Sequence, residues 1–211
     1  MWILEGIQDN ITFLLALIPV IILHELAHAV VALKLGDTTA KEDGRITLNP
    51  LKHLDVIGTL MLLVAGIGWA KPVMVNRHNL KYGRAGFALV AAAGPLTNLV
   101  LAYIFAIIAA ITYRVLGSMD IVLDYLLNVI GVTLMLCVFN LLPIPPLDGS
   151  KVIALIFPEN AYERWISGGW WSMLIIVALV FTGMLGRILS PIVWWMFDIM
   201  IVPVFTLIVN L

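Results

Sequence analysis

Charge is scarce in this chain of 211 residues: Asp, Glu, Lys and Arg together make up 12%, about half the ~25% usual for soluble domains. Cysteine is scarcer still. Cys137 stands alone and can form no intrachain disulfide, which excludes a secreted disulfide scaffold. There is no basic stripe, and a formal net charge of −1 argues against nucleic acid as a partner. Four histidines are too few for a haem or multi-histidine di-iron membrane enzyme and leave room for one small metal site. What is abundant is apolar, at 62% of residues against a usual ~45–50%. A soluble domain of this size has too much surface to hide that excess. The composition predicts an α-helical multi-pass membrane protein surrounded by a lipid bilayer.

Crossing ~30 Å of hydrocarbon takes about 20 apolar residues in a helix. Runs of that length predict about five transmembrane helices, at 11–33, 85–112, 121–142, 170–189 and 191–211, with Ser190-Pro191 dividing the last two. The apolar stretch 56–70 is shorter and glycine-rich, and reads as re-entrant or interfacial. Around it, Arg45-Ile46-Thr47-Leu48-Asn49 and Lys71-Pro72-Val73-Met74-Val75-Asn76 alternate as short strands do, and Pro72 confines the second to an edge. A re-entrant, β-hairpin-like segment at 45–75 is therefore expected. It serves either as a plain connection or as an edge that takes up an extended peptide. Residues 1–211 are expected to form one membrane-embedded domain, with a core at about 11–155 and two further C-terminal helices within 170–211. The opening Met1-Trp2-Ile3-Leu4-Glu5 lacks a positive n-region, so no cleavable signal is expected.

In this layout Lys34, Lys41, Arg45, Lys52, Lys71, Arg77, Lys81, Arg84, Lys151 and Arg164 fall on one side, and only Arg114 and Arg187 on the other. That bias predicts an N-terminus outside a cell membrane and two long polar loops in the cytoplasm.

Chemistry concentrates at His24-Glu25-Leu26-Ala27-His28, the pattern H-E-x-x-H. On a helix, residues i and i+4 share a face, so both imidazoles can reach one metal ion, with Glu25 about 100° round the axis. Zinc suits imidazole ligands and, with three protein ligands, keeps an open position for a water whose pKa falls to about 7. Glu25 is then placed to act as general base. Ionisable groups in an apolar span need partners to offset a cost of roughly 2.5–3.5 kcal/mol each. A polar cluster that merely glues helices would more commonly use Ser, Thr, Asn or Gln. A third ligand should lie at similar depth. Asp148, in the helix-breaking run Pro143-Ile144-Pro145-Pro146-Leu147-Asp148-Gly149, is the leading candidate, and His53, His78 and Asp55 compete from polar loops where solvated surface is the expectation. Asp198, within the last span, has either a polar partner or a functional role. The same ionisable set would also suit an ion path through a transporter, but no second copy of the motif and no internal symmetry appears. No serine sits in a Gly-x-Ser-x-Gly setting.

The H-E-x-x-H motif within a span, together with Asn140-x-x-Pro143-x-x-Pro146-x-Asp148-Gly149 downstream, resembles the site-2 protease family of intramembrane zinc metalloproteases. Asn49-Pro50-Leu51-Lys52-His53, Gly68-Trp69-Ala70-Lys71-Pro72-Val73 and Ala93-Gly94-Pro95-Leu96-Thr97-Asn98 are similar to its compact members. The resemblance implies one Zn²⁺ held by His24, His28 and Asp148, with Glu25 as catalytic base. It implies that Asn140 helps to hold the scissile carbonyl, and that Gly94 and Asn98 belong to a small-x-x-x-polar motif near bound substrate. Transmembrane protein substrates, cleaved near the cytoplasmic side, are the implied partners. The chain departs from many relatives in having no room for PDZ or CBS modules, only one span reaching the motif where many have an extra helix before it, Met74 where proline is frequent, and Ser150 where glycine is common.

Overall fold

The computed structural model describes residues 6–65, 68–116, 121–167 and 169–210. Met1–Glu5, where a signal is not expected, and the end of the 56–70 stretch at 66–67 lie outside them. With no water in hydrocarbon to satisfy backbone amides, apolar runs fold as helices. The chain builds α1 (Gly6–Lys34), α2 (Thr39–Glu42), α3 (Pro50–His53), α4 (Val56–Ala65), α5 (Gly83–Leu116), α6 (Ile121–Asn140), α7 (Asp148–Ile153), α8 (Glu159–Ser167), α9 (Gly169–Phe181), α10 (Met184–Met196) and α11 (Val202–Val209). A π-helical turn, Phe197–Ile201, joins α10 to α11. Among the described residues, four helices are long and apolar enough to cross a membrane: Thr12–Lys34, Gly83–Leu116, Ile121–Asn140 and Met184–Val209. The protein is a helical membrane protein.

The expected break between the last two spans lies elsewhere. Ser190 and Pro191 sit inside α10, and the chain turns instead at Thr182–Gly183, where Gly183 adopts φ +68 and only glycine is unstrained. That leaves α9 with 13 residues, or roughly 20 Å at ~1.5 Å per residue, short of the hydrocarbon thickness. α10 and α11 then form a single 26-residue span. Contacts between helix ends show which ends lie together. The Lys81 amide donates to Leu35 O (2.8 Å), setting the start of α5 beside the end of α1. Arg114 Nη1 donates to Ile208 O (3.2 Å), so α11 ends where α5 ends.

Small residues let these helices approach closely. α5 buries Ala88, Ala91, Gly94, Ala102, Ala106, Ala109 and Ala110. The last three alanines except Ala110 join Ala102, Leu123, Leu126, Ile130, Leu134 and Ile201 in the main apolar cluster between α5, α6 and the final span. A second cluster, of Ala16, Val20 and Val129, joins α1 to α6.

Among the described residues the 45–75 region contains no strand ladder, only one antiparallel bridge between Leu54 and Ala70, beside a bond from the Lys71 amide to His53 O (2.8 Å). Side chains do the pairing that a ladder would do. The buried Arg45 guanidinium donates through Nη2 to the carbonyls of Lys71 and of Pro72 (2.7 Å to the latter). Because Arg45 occupies those carbonyls, the segment 71–76 stays extended without a partner strand.

Asp37 fixes both ends of this polar layer. Gly36, at φ +107, turns the chain out of α1, and a Cβ there would stand 3.1 Å from Asn79 O. Asp37 is fully buried and accepts from the Thr39 hydroxyl (2.6 Å), the Thr39 amide (3.2 Å), the Asn76 amide (2.7 Å) and Asn79 Nδ2 (3.1 Å). Burial opposes its charge, but the bonds from Thr39, Asn76 and Asn79 outweigh it and hold its pKa below the ordinary value. A lowered folded pKa contributes stability that is fully present above the unfolded value of about 3.9 and is lost as pH falls through the folded one. Asp37→Ala leaves several buried donors unpaired, at roughly 1–3 kcal/mol each. The variant should melt well below the parent in detergent at pH 7, and the gap should close only under strong acid.

Candidate metal centre

Helix α1 carries His24 and His28 one turn apart, both buried, with ring centroids 4.7 Å apart and planes nearly perpendicular at 85°. The third group arrives from the far side of the bundle. After α6 ends at Asn140, the proline-rich turn reverses the chain, and α7 opens with Asp148 in its first turn. Gly149 permits that close passage, since a Cβ there would lie 2.1 Å from Leu141 O. Asp148 Oδ2 stands 3.1 Å from His28 Nε2 and 3.3 Å from His24 Nε2, and the two Nε2 atoms are 3.1 Å apart. One ligand atom from each residue thus falls within a compact triangle able to hold a metal ion. Bonds of ~2.0–2.2 Å to nitrogen and oxygen in tetrahedral array put neighbouring ligand atoms roughly 3.3–3.6 Å apart, close to these edges.

The outer nitrogens decide what the inner ones can do. His28 Nδ1 lies 2.7 Å from Val90 O, a carbonyl that can only accept, so Nδ1 carries the proton and Nε2 presents a lone pair. His24 Nδ1 lies 3.1 Å from the side-chain amide of Asn98, which is fully buried. The atom that faces it is Asn98 Nδ2, while Asn98 Oδ1 is buried without a partner among the described residues; exchanging the two, which the amide's shape allows, would satisfy Oδ1 and give His24 the same tautomer as His28. In that tautomer two lone pairs and a carboxylate oxygen converge, an arrangement that a metal cation relieves. Lys151 Nζ, 2.9 Å from Asp148 Oδ1, orients the carboxylate from its other side. Burial works against the Asp148 charge, and the Lys151 ammonium beside it favours it.

Gly94 forms the wall behind the two rings. A Cβ at that position would lie 2.5 Å from His24 Cε1 and from His28 Nε2. Glu25, half-buried beside the triangle, accepts through Oε2 from the Val73 amide at 3.0 Å. Gly94 and Asn98, expected near substrate, pack on His24 and His28. Asn140 closes α6, and its Nδ2 donates to Leu136 O (3.0 Å) within its own helix. The competing ligand candidates lie elsewhere. His53 is not solvated surface but fully buried, with Nε2 2.8 Å from Thr47 O. Asp55 caps the start of α4 by accepting from the Gly58 amide at 2.7 Å, and His78 is exposed in a short turn. Sequence reasoning missed Val90, Lys151 and the Val73 amide. Lys151 alone left a signal, standing three residues after Asp148 in the same helical turn.

Comparison with known proteins gives this geometry a context. The chain is 42% identical over 174 residues to "Putative zinc metalloprotease YwhC" of Bacillus subtilis, covering 80% of each chain. MJ0611 of Methanocaldococcus jannaschii, named in the same words, is 35% identical over 68% of this chain and 71% of its own length. Rip2 of Mycolicibacterium smegmatis, likewise so named, is 31% identical over 83% of this chain and 69% of its own. The chain belongs to this family of zinc metalloproteases. No family model matches it, and no solved structure does.

For this family member the wall and the amide are testable without a substrate. Gly94→Ala forces its methyl into both imidazoles and should strip the purified protein of most of its zinc, read by elemental analysis. Asn98→Ala removes the partner of His24 Nδ1 and should weaken zinc affinity by roughly 10–100-fold in competition with a chelator.

Proposed function

We propose that this protein is an intramembrane zinc endopeptidase of the site-2 protease kind, hydrolysing peptide bonds within or near transmembrane segments of membrane-protein substrates. The observation that carries this reading is the triangle that Asp148 of α7 closes on His24 and His28, which lie in a helix long and apolar enough to span a membrane, with Glu25 one residue from the first ligand. Bound there, zinc would supply a Lewis acid for the scissile carbonyl and a water acidified to about pKa 7. The chain's own residues supply the remainder. Glu25 takes the proton of the attacking water and returns it to the departing amine, a role worth roughly 10²–10⁴ in rate. Val90 O and Asn98 keep each imidazole's lone pair on the metal side, and Lys151 keeps Asp148 ionised and aimed.

The extended segment 71–76 is the proposed substrate seat. Its Val73 amide already reaches Glu25, while Met74 is exposed and its amide and carbonyl have no hydrogen-bond partner among the described residues. A transmembrane substrate must be unwound before hydrolysis because its helical carbonyls are already bonded, and a free backbone edge can hold the unwound strand. The orientation follows from charge. With four spans Arg187 falls near the inner end of its helix, leaving Arg114 alone among the basic residues at the outer end, so the polar loops and site face the cytoplasm.

Glu25→Gln separates binding from chemistry. It should retain the parental zinc content and lose cleavage of a susceptible transmembrane peptide by at least about 10²-fold, whereas Asp148→Ala should lose both. Parental cleavage by Glu25→Gln would overturn the general-base assignment, and full zinc in Asp148→Ala would remove that residue from the ligand set.

A further inference from the structure

The last span turns its polar side outward, the reverse of what a lone membrane protein requires. Its inner face is fully apolar: Leu189 and Ile201 are buried, and Val193, Met196, Phe197, Met200, Val204 and Phe205 pack against α5 and α6. Arg187, Ser190, Asp198, Thr206 and Asn210 are all exposed. At about 100° per residue they fall on the outward half of the span, among exposed apolar residues such as Trp194, Ile199 and Leu207. In lipid, polar and ionisable side chains ordinarily face the bundle interior or a partner.

Asp198 decides what the partner must offer. It lies 14 residues after Met184 and 11 before Val209, roughly 21 and 16 Å from the two ends at ~1.5 Å per residue, and hence near the middle of the bilayer. Among the described residues it makes no hydrogen bond or ion pair. It also sits in the π-turn Phe197–Ile201, a feature that recurs at functional sites. A second copy of this chain fits poorly. Related by an axis along the membrane normal, two copies would bring two Asp198 carboxylates to one depth. Arg187, eleven residues away or roughly 16 Å along the helix, cannot neutralise them.

We infer that the outward face of α10–α11 is a docking surface for a transmembrane helix of another membrane protein, one that carries a lysine or arginine at mid-bilayer to pair with Asp198. Ser190, Thr206 and Asn210 supply hydrogen bonds to the same helix toward either end. The inference stands apart from proteolysis, and its test reads association alone.

The probe is a synthetic leucine-rich transmembrane peptide with one central lysine, its control the same peptide with leucine there. Energy transfer to labelled full-length protein is measured in phosphatidylcholine vesicles. The lysine peptide should bind the parent at least ten-fold more tightly than the control, and Asp198→Leu should erase the difference while retaining the parental zinc content and melting temperature. If Asp198→Leu fails to fold, Asp198→Asn carries the comparison, since an uncharged amide must also lose the preference. Equal binding of both peptides to the parent overturns the inference. So does parental self-association that Asp198→Asn abolishes, which would assign the face to a second copy of the chain.

Discussion

Two imidazole nitrogens and a carboxylate oxygen stand 3.1–3.3 Å apart in a protein interior where each presents a lone pair. Left alone in a low-dielectric bundle three such acceptors would repel, and a cation between them would turn that repulsion into attraction. Most of the surrounding structure serves to keep the three acceptors facing one another. Val90 and Asn98 occupy the outer ring nitrogens, Lys151 occupies the second carboxylate oxygen, and Gly94 keeps α5 thin enough to pass behind both rings. All but Lys151 lie within nine residues of α5, so the register of that one helix against α1 sets the geometry of the centre.

The polar layer follows a related rule, in which buried charge is met by backbone rather than by opposite charge. Asp37 gathers two amides, a hydroxyl and a side-chain amide, and Arg45 gathers two carbonyls. Such bonds fix the path of the main chain itself. The segment 71–76 is held at Lys71 and Pro72 by Arg45 and at Asn76 by Asp37, and between these anchors it delivers the Val73 amide to Glu25.

Much of this was legible in the residues. The i, i+4 spacing of His24 and His28 placed both rings on one face, and the proline run before Asp148 announced a reversal that could return a carboxylate to them. Apolar run length located the first three spans to within a few residues. What failed to show was tertiary. Ser190-Pro191 reads as a break, yet Pro191 is tolerated within α10, and the turn falls at the less conspicuous Thr182-Gly183. The alternation at 45–49 and 71–76 reads as paired strands, but no local pattern could reveal that Arg45 would bind the carbonyls a neighbouring strand would use. His53 looked like solvated surface because it lies among charges, and its burial depends on a contact with Thr47 O set by the loop's fold. Asn98 carried a motif but no hint of which neighbour it would serve, since that depends on the rotation of α5 against α1.

Depth along α5 explains how one helix meets such different demands. In its N-terminal half Val90, Gly94 and Asn98 present a carbonyl, a missing side chain and an amide to the histidines. Farther along, Ala102, Ala106 and Ala109 present only small apolar surface to α6 and the final span. The chemistry needs exact polar partners, which are costly in hydrocarbon unless each is satisfied, and these are confined to the N-terminal half. Packing needs only close approach, which alanine gives without any polar group to satisfy. The final span can therefore bind α5 and α6 through a wholly apolar face, and its polar residues, unneeded there, are left on the side that faces lipid.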